Sequence, residues 1–404
     1  MSAPTLAILT KARGTFFKPL YEALAGAQPA PWRTMLVWPM SHEGEHPAEA
    51  VTPRAGNLDI RLVSSTRRHL DTSDAALEGK KGKYDTYLPS RETWRTLSEH
   101  DVRAVLMHEF SPFTLQGLIF AKLRRLPVFV STEVGKGNAA YFHGRTRLWH
   151  GIWSRFVDGI AACCPAAHQP LSGKSARTIS TYHAVDSRLY LPLPRPASSS
   201  GPVVFASLGQ LIRRKGLDLL LQAAAQLKAA GTSNFKLRFI GGGDEAWMRE
   251  MIACSGLADH CELTGFLTGP AIREAVGSAD VFVLPTRQDT YAAVVHEAAC
   301  LGLPLMISKH AGAAEGLVVD GENGFVFTPE DITGTAAILM KLMREETRAP
   351  MRLAARQTGE QFSAHVRGAE LWKWMTHRLH LGDIEEAEAP QTKNKSLEAP
   401  MHSH

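Results

Sequence analysis

The chain lacks most of the features that settle a protein's class at a glance. Five cysteines occur in 404 residues: the adjacent Cys163 and Cys164, then Cys254, Cys261 and Cys300. Their spacing fits neither a disulfide framework nor a set of metal ligands, which leaves reduced thiols in a cytosolic protein as the expectation. No apolar run is long enough to cross a bilayer. The opening MSAPTLAILTKARG lacks the basic start, long apolar centre and small-residue cleavage site of a secretory signal. Charge of one sign is also scarce, with 45 Lys and Arg against 40 Asp and Glu and a net +5. That mild excess would help to attract phosphorylated ligands or an anionic membrane surface and is diagnostic of neither. No nucleic-acid module accompanies the basic groups, so no nucleic-acid partner is expected.

Two short motifs are tempting and are set aside. His42-Glu43-Gly44-Glu45-His46 fits H-E-x-x-H, which binds zinc when a helix puts both imidazoles on one face. Pro39, Pro47 and Gly44 make it a loop instead. Gly241-Gly242-Gly243-Asp244-Glu245-Ala246 fits G-x-G-x-x-A, with Glu262 near the position of a ribose-binding acid. An NAD-dependent oxidoreductase is therefore an alternative, but these glycines follow the second strand of their half rather than the first. A close-packed strand-to-helix turn accounts for them.

What is present is alternation. At this length two domains are expected. Short apolar strands alternate with helical patterns throughout, predicting parallel sheets covered by helices. In the first half, 5–10, 34–39, 58–64, 104–110, 128–133 and 159–164 read as strands. Helices are predicted over 16–25, 91–98, 113–124, 145–156 and 166–171, and the polar stretch 65–90 as a loop near a binding face. PLPRPASSSGP at 192–202 reads as a linker. The alternation restarts with strands at 203–209, 236–243, 261–266, 281–286, 304–308 and 324–327. Helices lie near 216–229, 245–256, 269–277, 292–301 and 331–344, and a late helix spans 363–382. The polar tail 383–404 is expected to be disordered.

The chemistry concentrates at strand ends. VFVLPTRQDTYAAVVHEAACLGLP (281–304) runs from a buried-type strand through a polar turn into a short helix. Asp289 lies in the turn and Glu297 inside the helix, a separation of roughly 8–12 Å at the helical rise. That is too wide for the acid and nucleophile pair of a glycosidase, and suits two acceptors for separate hydroxyls of one extended ligand. Gly209-Gln210 ends an earlier strand, and Arg213-Arg214-Lys215-Gly216 opens the next helix. This is either an anion site or an exposed basic turn. Gly14, after the first strand, either passes close to a ligand or is a plain loop glycine. His108 ends the strand AVLMHEF and is either structural or cleft-facing.

Taken in order, SLGQLIRRKGLDLLLQA, FIGGGDE, LTGFL, VFVLPTRQDTYAAVVHEAACLGLP and LVVDGENGFVFTPED resemble a retaining glycosyltransferase of family 4. The resemblance runs from about 203 to 345 and implies the α/β GT-B architecture, two Rossmann-like doubly wound domains facing each other across a cleft. It implies an acceptor-binding domain at 1–191, a donor-binding domain at 203–362, and a C-terminal helix packing back on the first domain. Lys215 and Arg214 would bind the donor pyrophosphate. Asp289 would contact the transferred sugar and Glu297 the ribose, while the amides of Thr290, Tyr291 and Ala292 would meet sugar or phosphate oxygens. Phe266 and Leu267 would lie near the base. Gly14, Gly209, Gln210 and Gly241 would complete the donor site, and His108 loosely matches an acceptor-side histidine. The implied partners are a nucleotide-diphosphate-sugar, a glycan or glycolipid acceptor in polysaccharide or glycolipid synthesis, and a peripheral membrane contact; no catalytic metal or other cofactor is implied. Two departures stand out: Asp289 where the family usually has Glu, and Gln210 where it often has Arg. They leave a non-catalytic nucleotide-sugar-binding protein as the rival reading.

Overall fold

The computed structural model describes residues 3–11, 17–40, 58–73, 81–172, 177–194 and 201–379. Gly14, the His42–His46 motif, the tail beyond 379 and most of the linker lie outside these. The first lobe is built on β1 (Thr5–Leu9), β2 (Arg33–Met40), β3 (Leu58–Ser64), β6 (Val102–His108), β7 (Val128–Thr132), β8 (Gly159–Ala162) and β9 (Arg177–Ser180). They form one parallel sheet in the order β3-β2-β1-β6-β7-β8-β9. All five residues of β1 and of β7 are buried, because helices cover both faces of a sheet so wound. These are α1 (Lys18–Gly26), α2 (Arg91–Glu99), α3 (Pro112–Leu123) and α4 (Gly144–Trp153). Ser111 starts α3 with a reciprocal capping box to Thr114, followed by Pro112 in the first turn, where its missing N–H does no harm.

Strands β10 (Val203–Leu208), β11 (Phe235–Ile240), β12 (Cys261–Leu263), β13 (Val281–Leu284), β14 (Leu305–Ser308) and β15 (Gly324–Phe327) make the second sheet. Its order is β12-β11-β10-β13-β14-β15. Helices α5 (Leu217–Ala229), α6 (Glu245–Cys254), α7 (Pro270–Gly277), α8 (Ala293–Cys300) and α10 (Ile332–Leu342) flank it, with a short turn α9 (Ala314–Leu317) between the last two. In both sheets the chain order reverses at one place, between β1 and β6 and between β10 and β13. Open α/β sheets bind ligands outside the strand carboxyl ends at such a switch point.

Two final helices, α11 (Glu345–Gln361) and α12 (Ala364–Leu379), tie the lobes together. Gly359 lets α11 lie against α8, since a Cβ there would stand 2.6 Å from the Cys300 nitrogen. α12 crosses back to the first lobe and packs on α1. Trp372 meets Trp32 at 5.1 Å between ring centroids and Trp374 meets Phe129 at 5.4 Å. Leu371, Trp372 and Met375 share a core with Leu6, Ile8, Leu20 and Leu24.

The structure differs from the sequence-based expectation in four places. Residues 65–90 hold an antiparallel hairpin, β4 (Arg67–Ser73) with β5 (Lys81–Tyr87), where charged and glycine residues masked the alternation. The short β9 lies where no strand was expected. The expected helix at 166–171 is a single 3-10 turn, Pro165–Ala167, since Pro170 removes the donor that a longer helix needs. α11 forms despite Pro350; Arg348, Met351, Ala355 and Gly359 are buried along one face, so packing outweighs the missing hydrogen bond near its start.

Candidate functional site at the facing strand ends

At the switch point of the second sheet, the turn after β10 and the turn after β13 stand side by side. Gly209 and Gly241 have φ of 154° and 136°, conformations that favour glycine. A Cβ on Gly241 would come within 2.1 Å of the Gly209 carbonyl oxygen, so the turns after β10 and β11 touch backbone to backbone. Gly216, at φ 67°, starts α5 against the Pro285 carbonyl, 2.0 Å from where a Cβ would stand. That contact draws Lys215 toward the turn after β13. A small pocket there is lined by Ser207, Gly209, Gln210, Lys215 and Leu284 among others.

Lys215 donates from Nζ to Asp289 Oδ2 at 2.6 Å. Arg214 donates to the Gln288 carbonyl at 2.7 Å, with Nη1 3.8 Å from Asp289. Arg214 therefore shares the Asp289 side with Lys215, whereas the Arg213 guanidinium lies 5.7 Å from the Trp247 ring centroid on α6. Arg287 braces the assembly by a bidentate pair to Asp218, at 2.8 and 2.7 Å. Such forks fix geometry as well as charge.

Thr290, Tyr291 and Ala292 lead into α8. Ala292 holds φ 72°, a left-handed conformation that an L-residue adopts only when its surroundings impose it. The first amides of α8 have no partner within the helix, which makes its start receptive to oxygen ligands. Phe266 is 78% exposed beside the Gly241–Gly243 turn, and Gly241 N–H bonds the Gly265 carbonyl at 3.0 Å. Leu267 is half-buried against the core. Glu297 is not gathered into the Lys215–Asp289 pair. Burial pushes its carboxyl above the usual range, and its hydrogen-bond partner is Tyr190 near the interlobe connection. Glu262 pairs with Arg238 at 2.8 Å, between the edge strand β12 and its neighbour β11.

The first lobe contributes a second constellation that the sequence reading largely missed. Glu109, Glu133, Cys163 and His183 follow β6, β7, β8 and β9 in turn, one from each strand end. Glu133 Oε1 lies 3.0 Å from His183 Nε2. Glu109 accepts from Thr132 Oγ1 at 2.8 Å and from the Glu133 N–H at 2.6 Å. Burial and the neighbouring Glu133 push the Glu109 carboxyl up to about 8. Burial raises Glu133 as well, but its bond to His183 and the neighbouring His183 and His108 rings together outweigh that and hold it below the usual range. His108 is buried, accepts or donates at Nδ1 with Tyr21 Oη at 3.1 Å, and lies under the Phe17 ring at 3.8 Å. Burial drops its pKa to about 3, so it is neutral. Glu133, Cys163 and His183 present donor atoms within 4.8 Å of one another, and among the described residues this is the group that could hold a metal.

Tyr291 joins the two constellations. It is fully buried, and its ring centroid lies 4.5 Å from that of His183. His296 of α8 adds a strap, bonding the His183 carbonyl at 3.3 Å and the Gly359 carbonyl at 3.0 Å. Glu109 and Tyr182 share the left-handed backbone of Ala292, at φ 58° and 56°. Three of the strained residues thus border the same interlobe space, as strained backbone does at functional sites. Three of the missed residues did carry a signal: Glu109, Glu133 and Cys163 each stand just beyond the carboxyl end of a buried strand, whereas His183 follows the half-exposed β9.

Two α/β lobes that meet across their strand carboxyl ends, with a cationic pair at one switch point, define the GT-B fold of glycosyltransferases. Residues 194–361 match the family described as Glycosyl transferases group 1. The chain is 32% identical over 174 residues to the amylovoran biosynthesis glycosyltransferase AmsK of Erwinia amylovora, covering 41% of this chain and 42% of that one. Against a GDP-mannose-dependent phosphatidylinositol monomannoside mannosyltransferase of Mycolicibacterium smegmatis it is 25% identical over 310 residues, 72% and 78% of the two chains. It spans less than half the length of the first of these. Among solved structures, Anabaena HepE with UDP and glucose superposes with a TM-score of 0.65 at 16% identity, covering 92% of this chain and 99% of that one. Sucrose-phosphate synthase of Thermosynechococcus elongatus gives 0.68 at 15% identity over 93% and 98%. These structural likenesses carry the fold.

Proposed function

We propose that this protein is a family 4 glycosyltransferase that moves a hexosyl group from a nucleotide-diphosphate-sugar to an acceptor hydroxyl with retention of configuration. Its setting would be polysaccharide or glycolipid synthesis on the cytoplasmic side of a membrane. The observation that carries the reading is the pairing of Lys215 and Arg214 with Asp289 across the sheet switch point, where Gly216 seats the turn after β10 on the turn after β13. In this reading Lys215 and Arg214 take the donor diphosphate, and Asp289 exchanges its ion pair for a hydroxyl of the sugar. The α8 amides receive the remaining oxygens, and Phe266 offers an exposed face to the base. Glu297 takes the ribose after leaving Tyr190. Charge on the departing diphosphate is met by fixed cations and amides, so no step is routed through a metal. His108, which is neutral, and the Glu133–His183 pair face the acceptor, and a diphosphate oxygen helps to take the acceptor proton. A panel of nucleotide-sugars, followed by NMR of the anomeric proton in the product, tests this. Retained configuration with one preferred donor is expected; an inverted product would overturn the mechanism.

The rival, a binding protein without turnover, draws on the same pair, since a shortened acid seated on Lys215 could hold the cation rather than the sugar. Asp289→Glu separates the two. A transferase gains or loses rate on this change, whereas a binding protein shows no transfer with either residue.

A further inference from the structure

Three strands of the first lobe end in register. Thr132 pairs with Ala162, and Ala162 with Ser180. Just beyond, the Cys163 N–H donates to the Thr132 carbonyl at 3.1 Å and the Thr181 N–H to the Ala162 carbonyl at 2.7 Å. Glu133 and Cys163 therefore leave the sheet side by side. Tyr182, at φ 56°, turns the chain after β9 so that His183 joins them. One carboxylate, one thiol and one imidazole thus present donor atoms within 4.8 Å of one another. Cys163 is 2% exposed and His183 9%, whereas Glu133 keeps 30% of its side chain in solvent, which leaves an entry path. The group is firmly braced. A Cβ on Gly135 would stand 2.4 Å from Ala167 Cα, so the loop that carries Glu133 is pressed onto the turn that follows Cys163. Asn138 fastens that loop, donating to the Glu133 carbonyl at 2.6 Å and accepting from the Gly135 N–H at 2.9 Å. The His183 ring is held between Tyr291 and Phe17, at 4.5 and 5.0 Å between centroids.

What these groups do for one another is incomplete. His183 Nε2 lies 3.0 Å from Glu133 Oε1, but the contact is poorly aligned and leaves Nε2 buried without a well-formed hydrogen bond. A buried polar atom in that condition points to a missing ligand. Thiolate, imidazole and carboxylate are the ligands of zinc, whereas magnesium, calcium and manganese favour all-oxygen sets. Donors that share one tetrahedral zinc stand roughly 3.3–3.8 Å apart, from bonds of about 2.0–2.3 Å, so small side-chain rotations bring these three into range. Three protein ligands leave a fourth position open, as in zinc sites that take up an exchangeable ligand. Cys164 follows directly, but its Sγ is engaged by Asn138 Nδ2 at 3.9 Å, which makes it the natural control.

We propose that Glu133, Cys163 and His183 form a zinc-binding site with one open coordination position in the first-lobe wall of the cleft. Cys163 binds as the thiolate and passes its proton to the buffer. The site stands apart from the transferase reading. One consequence rests on that reading: an ion that engages Glu133 and His183 withdraws them from the acceptor, so zinc should slow transfer and a chelator should restore it. The full chain, reduced and stripped with chelator, is titrated with Zn²⁺ against a chromophoric chelator, with neither donor nor acceptor present. One ion per chain is expected at about micromolar free zinc or below, with Mg²⁺ and Mn²⁺ binding far more weakly. Cys163→Ser and His183→Gln should each weaken zinc binding by about 100-fold or more, beyond the roughly 10–100-fold usual for loss of an outer partner. Cys164→Ser should keep it. Co²⁺ gives a second readout: a thiolate-to-cobalt charge-transfer band is expected in wild type and Cys164→Ser and absent from Cys163→Ser. The wild-type melting temperature should rise with zinc. Unchanged melts in chelator and unchanged UDP affinity would show that the variants fold. Wild type without a tightly held ion, equal affinity in Cys163→Ser, or a cobalt band lost only with Cys164→Ser would overturn the site. Zinc bound with transfer unaffected would remove the consequence alone, and zinc bound by a chain that transfers no sugar would fault the transferase reading instead.

Discussion

The two lobes share a winding order and a way of building sites at strand ends, yet they differ in how those sites are assembled. In the second lobe the chemistry sits in two continuous stretches, 209–216 and 287–297, and Gly216 seats one turn against the other. In the first lobe Glu109, Glu133, Cys163 and His183 come from four strand ends, each embedded in ordinary sequence. One site holds charges that face each other as an ion pair, Lys215 against Asp289. The other holds buried groups whose protonation is bent by burial, with Glu109 pushed up and His108 and His150 pushed down. A donor with a fixed diphosphate suits the first design. A variable acceptor, which the protein must orient and keep from water, suits the second.

The sharpest way to break this comparison is to remove the cation. Lys215→Ala should lower turnover by about 10²–10³, or about 3–4 kcal/mol, as for loss of one preorganised charge contact in a water-poor site. Full turnover with the preferred donor would move the phosphate site elsewhere.

The next largest effect concerns architecture. Gly216→Val would drive a side chain into the Pro285 carbonyl at a left-handed φ and should destabilise the second lobe by several kcal/mol. In a thermal melt the second lobe should unfold first; an unchanged melt would contradict the tight-turn account.

A change in the first lobe should separate donor from acceptor. Glu133→Gln keeps the shape but loses the charge beside His183. Transfer should fall by about tenfold or more through misorientation of the acceptor, while UDP affinity by calorimetry stays unchanged. Equal losses in both measurements would erase the division of labour.

The pH dependence of stability sharpens the same point. The folded pKa of Glu109, about 8, lies above its ordinary 4.5. The folded state therefore holds a proton that the unfolded chain releases, and stability from this group declines as pH rises from 4.5 to 8. His108 and His150, at about 3 and about 4, lie below the ordinary 6.5. Their contribution is complete above 6.5 and is lost as pH falls toward those values. Scanning calorimetry of Glu109→Gln should show a flatter decline between pH 5 and 8, with the acid limb retained. A curve identical to wild type would mean that Glu109 is ionised in the folded protein.

The smallest expected effect is at Ala292. Replacement by glycine relieves the left-handed strain but loosens the unfolded chain, so stability should change by less than about 1 kcal/mol. A large loss would show that the methyl group is packed for a purpose.

These contrasts also explain what could be read from the amino-acid order. The buried strands of both sheets stand out because each is a short apolar run between polar turns, and the second-lobe site lies in continuous motifs. The β4–β5 hairpin escaped notice because its strands are charged, and α11 because Pro350 mimics a stop. Glu109, Glu133 and His183 gather only once parallel strands align their carboxyl ends, a proximity that no local spacing encodes. Glu297 belongs to the continuous second-lobe motif. Its motif position points to the donor ribose, and in the folded chain its hydrogen-bond partner is Tyr190.

Calorimetric titration of UDP into wild type and Lys215→Ala, both in excess chelator, tests the central claim most directly. The account predicts measurable binding to wild type and at least about tenfold weaker binding to the variant, the loss of one charge-assisted contact. Equal affinity for the two proteins would contradict it.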